Sequence, residues 1–335
     1  MSNQKLNLVS YGLGPIGLEI LKRATQATDI QVLGAVDIDP NKIGQDIGTL
    51  VSDNKMDRHV VSSIVDIPAC NDFKVAIHAT GSNLERVWPQ MRDLLDQGYS
   101  VVSTCEELSY PWHRYPELSA EIDAYAKEKG LTVLGTGVNP GFIMDTMVVA
   151  LTGVTNSMSG IKVNRRVDVS KRRIPLQKKV GIGMAKEEFE QLANENRIGH
   201  VGLEESLRMV AYGLNWELEE VSNFIEPTIS KANDKVDLCD ILAGQVNGLH
   251  QESRGRTRDG KEIVLDLVMS VGVKQEDEII IEGSEPKHLV IPGGIFGDTA
   301  TAAIALNSAK LVSLTKKAGL LTMVDAGVPR NVYLG

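Results

Sequence analysis

The sequence predicts an α/β protein of two parts, a doubly wound parallel sheet followed by a second, α+β domain on a mostly antiparallel sheet. Three observations lead there. Over the first 140 residues, short β-branched runs alternate with amphipathic stretches at the interval that parallel strands and crossover helices need. From about residue 155, long strand-like runs follow one another with few helices between them, the pattern of an antiparallel sheet. A glycine-rich turn separates the first strand from the first helix.

The elements read in order. Residues 6–12 form a strand, and 15–26 (PIGLEILKRATQ) a helix with Ile16, Ile20 and Leu21 on one face. Further strands are expected at 30–39, 58–67, 74–80, 100–105 and 132–137, and helices at 83–98 and 116–130. Pro89 should kink or restart the first of these helices. The joint falls near NPGF (139–142), which gives a first domain of 1–140, a substrate and dimerisation domain of 141–300, and a C-terminal helix and tail, 301–335, packing back toward the first. In the second part, GIKVNRRVDVSKRR (160–173) reads as a basic strand, and 185–196 and 203–214 as helices. Strand-like runs occupy 216–230, 250–258, 262–273 and 277–283, and a strong helix closes the chain at 297–319.

Composition limits the function classes. With 335 residues, 42% of them hydrophobic and 24% charged, the chain has room for two cores of ordinary soluble character. The balance of 35 basic against 44 acidic side chains, −9, argues against nucleic acid or an anionic membrane as partner. No apolar run reaches the length of a spanning helix, and the N-terminus enters a strand without a leader. Cys70, Cys105 and Cys239 are too widely spaced for a disulfide framework or a metal motif. A reduced, cytoplasmic protein without a metal is expected.

YGLGPIG (11–17) is the strongest local motif. Gly12, Gly14 and Gly17, with Leu13, Pro15 and Ile16 between them, make the G-x-G-x-x-G turn of a Rossmann dinucleotide site. The first glycine permits the turn, the second lets a pyrophosphate approach the backbone, and the third lets helix and strand close up. Asp37 ends the second strand 20 residues beyond Gly17, where an acid meets the adenosine ribose. The expected cofactor is NAD or NADP, and Asp37 favours NAD because a carboxylate repels a 2′-phosphate. Lys42 stands close enough to blur that preference, although a solvated loop lysine is the simpler reading.

Ligands of such sheets lie beyond the carboxyl ends of the strands. HATGSN (78–83) brings Thr80 and Gly81 to that edge, and STCEELS (103–109) brings Thr104, Cys105, Glu106 and Glu107. A carboxylate beside a nicotinamide suits substrate carbon bonded to nitrogen: it accepts the amine proton, stabilises the iminium left by hydride departure, and activates water against it. Alcohol oxidation would call for Lys, His or Tyr, which STCEELS lacks. The bland alternative is that both acids are helix-capping or solvated. Cys105 offers a rival chemistry, a thiohemiacetal in a semialdehyde dehydrogenase, with His113 the nearest base. A buried, inert thiol is the simpler reading. A non-catalytic dinucleotide sensor is a third class. His78 reads as a core residue, and His200, at a helix entry, is balanced between core and pocket.

YGLGPIG, STCEELSYP, GTGVNPGFIMDT, KRRIPLQKKVGIG, GHVGLEES and GDTATAA occur in this order along the chain. Together they resemble the 2,4-diaminopentanoate dehydrogenases and related native amine dehydrogenases, whose architecture is that of dihydrodipicolinate reductase. The resemblance implies NAD(P)-dependent deamination of an amine to a ketone and ammonia, reversible as reductive amination, by a homodimer. It places the catalytic glutamate at Glu106 or Glu107, without choosing between them. It implies that the NPGF turn, through Asn139 and Phe142, helps place the nicotinamide and lines the substrate pocket; Met144, His200 and Thr299 are further pocket candidates. Arg172 and Arg173 fit an amino-acid-like substrate, because a guanidinium fork grips a carboxylate; a solvated basic face or subunit contact is equally open. The paired-histidine, lysine-containing motif of dihydrodipicolinate reductase itself has no counterpart here.

Overall fold

Alternation of strand and helix builds the first half of the chain. Leu6–Tyr11 (β1) leads into Pro15–Gln26 (α1), which buries Gly17, Ile20, Leu21 and Ala24. Ile30–Val36 (β2), Ile47–Val51 (α2) and Val60–Val61 (β3) follow, then Lys74–His78 (β4), Leu84–Asp96 (α3), Ser100–Ser103 (β5), Pro116–Lys129 (α4) and Thr132–Gly135 (β6). Next come Thr146–Thr152 (α5), Met158–Asp168 (β7), Ile174–Lys179 (α6), Lys186–Asn194 (α7), Leu203–Gly213 (α8) and Leu218–Ile229 (β8). A small hairpin, Asp234–Lys235 (β9) with Asp240–Ile241 (β10), precedes Val246–Thr257 (β11), Glu262–Ser270 (β12), Glu276–Gly283 (β13) and Lys287–Pro292 (β14). Gly297–Thr315 (α9), Gly319–Leu321 (β15) and Met323–Ala326 (α10) close the chain. This computed structural model describes residues 5–52 and 54–334. Residues 1–4, part of the stretch read as leaderless, lie outside that range.

The chain divides into two compact units, one running to Phe142 and resuming at Phe296, the other spanning Ile143–Ile295. In the first, seven parallel strands lie in the order β15-β6-β5-β4-β1-β2-β3. The order reverses between β1 and β4, and that is the switch point beside which ligands sit in such sheets. Helices cover the sheet: α9 packs on α1 and β4, while Leu84, Trp88 and Met91 of α3 pack with Val101 of β5 in a core shared with Ile122 and Ala126 of α4. Lys310 of α9 donates to Asp29 at 2.6 Å in a buried ion pair, and to the carbonyl of Val332. The Asp29 carboxylate also accepts the Leu334 N–H, so one acid holds both the helix and the C-terminal tail. In the second unit, six strands lie in the order β14-β13-β7-β12-β11-β8, antiparallel except for the β7–β12 pair.

Several elements depart from the sequence reading, among them four that matter to the fold. The strand expected at 58–67 shrinks to Val60–Val61, paired only to Ala35 and Val36 at the sheet edge; Ile64–Asp66 then turns as a 3-10 helix that buries Ile64. Pro89 does not divide the helix, which runs unbroken over Leu84–Asp96 with Pro89 inside it. The closing helix ends at Thr315 rather than 319, because Lys316 takes a left-handed conformation (φ 50°). The freed residues become β15, where Leu320 is buried against the edge of β6. Strand β14 has no forerunner in the reading: its apolar run of Leu289, Val290 and Ile291 is too short to show a period, and its residues alternate between half-buried and exposed. Among the described residues, no helix is long and apolar enough to cross a membrane.

Candidate active site

The glycine loop has the shape its spacing requires. Gly12 lies at φ +89°, and a Cβ there would meet the Ala79 carbonyl oxygen at 2.7 Å. A Cβ on Gly17 would stand 1.8 Å from the Gly12 carbonyl oxygen, so helix and loop touch as only glycine allows. Gly14 differs from both: a Cβ there would meet nothing within 4 Å. It is the N-cap of α1, no side chain caps that end among the described residues, and Pro15 follows at the first helical position. Open space over a bare backbone at a helix N-terminus fits a pyrophosphate, so Gly12–Gly17 can hold a dinucleotide. Leu13 is buried beneath the loop, Ile16 is half-buried, and Pro15 is exposed.

Asp37 has a structural role within the loop. Its Oδ2 accepts the Leu13 N–H at 2.6 Å and its Oδ1 the Asp39 N–H at 2.8 Å, so the carboxylate ties the glycine loop to the end of β2. Lys42 is not a solvated loop residue. Its Nζ lies 3.5 Å from Asp37 and 3.4 Å from Asp39, with the side chain 23% exposed.

At the next strand end, His78 is a polar node inside the core. Its Nδ1 lies 2.9 Å from the Ser103 hydroxyl, and its Nε2 lies 2.8 Å from Gln90 Oε1 and 2.9 Å from the Thr80 hydroxyl. An amide oxygen only accepts, so Nε2 carries the proton and Nδ1 accepts from Ser103. Burial holds the imidazole neutral, its pKa pushed down to about 4 against a weaker upward pull from Gln90. The ring stacks on Tyr11 at 5.6 Å. Ser103 in turn accepts the Cys105 N–H, and the Thr104 N–H donates to the His78 carbonyl. One histidine thus joins the ends of β4 and β5, where Thr80 and Gly81 are exposed and Thr104 is half-buried. The sequence reading saw only an apolar-strand histidine; its polar partners are strand-end and helix residues up to 25 positions away.

Glu106 and Glu107 open a 3-10 turn, Glu106–Leu108, directly after β5. Successive residues of such a turn point about 120° apart, and the two acids diverge accordingly. Glu107 turns inward. Its Oε2 accepts from the Leu84 N–H at 2.8 Å, the Tyr115 hydroxyl at 2.8 Å and Asn83 Nδ2 at 3.1 Å, while Oε1 pairs with Arg114 at 3.2 Å. It sits at the N-terminus of α3, where the helix dipole favours an anion. Burial and this hydrogen bond push the Tyr115 hydroxyl up to about 12. Glu107 is a strut whose donors occupy both oxygens. Glu106 is half-buried on the other side of the turn.

Cys105 points into the core. It is fully buried, its thiol donates to the Ser82 carbonyl at 3.1 Å, and burial pushes its pKa up to about 12. Such a thiol supplies no thiolate near neutral pH, which removes the physical basis of a thiohemiacetal and corrects its placement as a cofactor-facing side chain.

The remaining candidates belong to both units. Asn139 is half-buried before a cis peptide bond to Pro140, and Phe142 is half-buried. Thr299, exposed on the first turn of α9, donates to the Phe296 carbonyl. In the second unit, Met144 and Arg172 are buried and Arg173 is half-buried. His200 is clamped by Gln251, which accepts its N–H and donates to its carbonyl, both at 3.0 Å. The residue as a whole is half-buried, but its Nε2 is shut from solvent with no hydrogen-bond partner among the described residues. Burial, reinforced by Lys179 and Arg165, lowers its pKa to about 3. Arg165 forms a buried pair with Asp277 at 2.7 Å, and together they bind both the carbonyl and the N–H of Ile295.

Three comparisons bear on this arrangement. Residues 142–334 match the family model of the 2,4-diaminopentanoate dehydrogenase C-terminal domain. The chain is 29% identical to the 2,4-diaminopentanoate dehydrogenase of Acetoanaerobium sticklandii, over 98% of this chain and 95% of that one. In structure it resembles the amine dehydrogenase of Mycobacterium smegmatis, with a TM-score of 0.85 at 24% identity over 98% of this chain and 97% of the other. It also shares the fold of GenD2 from gentamicin A biosynthesis, solved in complex with NAD, with a TM-score of 0.59 at 13% identity over 96% and 90% of the two chains.

Proposed function

Since the chain belongs to the 2,4-diaminopentanoate dehydrogenase family, we propose that it is an NAD(P)-dependent oxidoreductase that deaminates an amine to a ketone and ammonia, and that runs in reverse as a reductive amination. The observation that carries this reading is the divergence at the end of β5, where Glu107 turns inward as a buried strut and Glu106, half-buried, points from the other side of the turn, the side on which we place the chemistry. The dinucleotide, when bound, takes or returns the hydride.

The protein's own residues do the rest. Gly12, Gly14 and Gly17 admit the pyrophosphate, and Asp37 holds the loop that faces it. Glu106 accepts the proton of the substrate ammonium and releases it to solvent; as a carboxylate again it lies opposite the iminium left by hydride departure, takes a proton from the water that adds, and returns it to the amino group. Ammonia then leaves. Asp37 favours NAD. The substrate is read as 2,4-diaminopentanoate-like or a simple amine, and Arg172 and Arg173 are the side chains to read a carboxylate on it. Three free cysteines fit a cytoplasmic setting, and a homodimer is the expected assembly.

A panel of ketones and amino-ketones with ammonia, followed by loss of reduced nicotinamide absorbance, tests the reaction. Turnover with a ketone only when ammonia is present is the expected result. Ammonia-independent turnover, or none with any ketone, would remove the amine reading.

A further inference from the structure

Lys42 lies between two acids at the place where adenosine ribose belongs. Asp37 has already given one oxygen to the Leu13 N–H and the other to the Asp39 N–H. Asp39 Oδ1 is taken by the backbone and side-chain N–H groups of Asn41, and its Oδ2 lies 3.4 Å from the Lys42 ammonium. The Lys42 and Ile43 N–H groups both donate to the Asp39 carbonyl, which folds the turn that carries the lysine back over the two carboxylates. A lysine stem, mostly shielded at 23% exposure, thus holds its charge beside β2 by design of the turn.

The electrostatic consequence is specific. Two carboxylates alone would repel a 2′-phosphate, which adds nearly two further negative charges. With the ammonium between them the local charge falls to −1, and an ammonium with three donors can turn one toward a phosphate oxygen. The acids orient the lysine, and the lysine offsets the acids. We infer that Lys42 is the residue that sets the choice between the two dinucleotides, admitting NADP to a site whose strand-end acid by itself selects NAD. The inference rests on the dinucleotide reading of the glycine loop.

Calorimetric titration of NAD and NADP against wild type, Lys42→Gln and Lys42→Arg tests it without recourse to activity, and adenosine 2′,5′-bisphosphate against 5′-AMP repeats the comparison on fragments. Wild type is expected to bind both dinucleotides. Lys42→Gln should weaken NADP about tenfold or more, the loss of one charge-assisted contact, with NAD changed less than about threefold. Lys42→Arg should keep NADP binding. If Lys42→Gln binds NADP like wild type, if it loses both dinucleotides in equal proportion, or if wild type binds NAD and excludes NADP, Lys42 does not set the choice, while the dinucleotide site stands. Wild type that binds neither overturns the inference and the site together.

Discussion

The Glu107 carboxylate caps the helix that begins at Leu84, with Oε2 2.8 Å from the Leu84 amide nitrogen. That contact gives Glu107 a structural role that Glu106, on the other side of the turn, does not share, and the proposed mechanism assigns the chemistry to Glu106. Glu106→Gln should lower kcat on the order of 10²-fold or more in both directions, with NADH affinity unchanged. Glu107→Ala strands the Leu84 N–H and the Tyr115 and Asn83 donors, and should cost roughly 2–4 kcal/mol of stability. Thermal melts beside kcat for the two variants check this. A Glu106→Gln enzyme of wild-type kcat would remove the assigned base.

The three loop glycines should fail in different ways. Gly14→Val places its side chain in open space at an ordinary φ of −64°, so the protein should fold and lose dinucleotide binding. Gly17→Ala drives a Cβ into the Gly12 carbonyl and should cost at least about 3 kcal/mol. Circular dichroism melts and NADH titration of both variants separate the outcomes. Unchanged NADH affinity in Gly14→Val would contradict the cradle.

Acid should weaken the fold in a defined window. His78, ordinarily near 6.5, is held down to about 4 by burial, so the unfolded chain binds a proton that the folded one refuses. Its contribution is fully present above about pH 6.5 and is lost as the pH falls toward 4, at most roughly 3 kcal/mol. His200, lowered to about 3, acts in the same sense. Urea unfolding from pH 7 to pH 4 should show stability falling with pH, and His78→Gln should flatten that slope. An unchanged slope in the variant would place the acid sensitivity elsewhere.

Cys105→Ser should keep most of the deaminating activity, because a serine hydroxyl can donate to the Ser82 carbonyl as the thiol does. Wild-type enzyme should also resist thiol alkylation at this position while native, as a fully buried, protonated sulfur would. Peptide mapping after alkylation, beside turnover of the variant, reads both.

What the sequence by itself determined is what local pattern and spacing encode: the strand–helix alternation, the glycine loop, the acid after β2, and the acids after β5. Those signals lie within a few turns of one another in the chain, so periodicity and turn chemistry report them directly. Only the tertiary structure decided what each side chain faces. Nothing in STCEELS distinguishes Glu106 from Glu107; the partners that do so, Asn83, Leu84, Arg114 and Tyr115, arrive from α3 and the loop before α4. Asp37 reads as a ribose acceptor, and only the fold shows that it also holds the Leu13 amide; Lys42 reads as solvated until the turn at Asp39 folds it back. His78 and Ser103 are 25 positions apart and meet only because β4 and β5 pair in register. β15 forms for the same reason, since a three-residue strand has no period of its own and is stabilised by the edge of β6 that it covers. Hydrogen-bond partners distant in sequence are set by packing, and packing is a property of the assembled sheet, which local residue spacing does not encode.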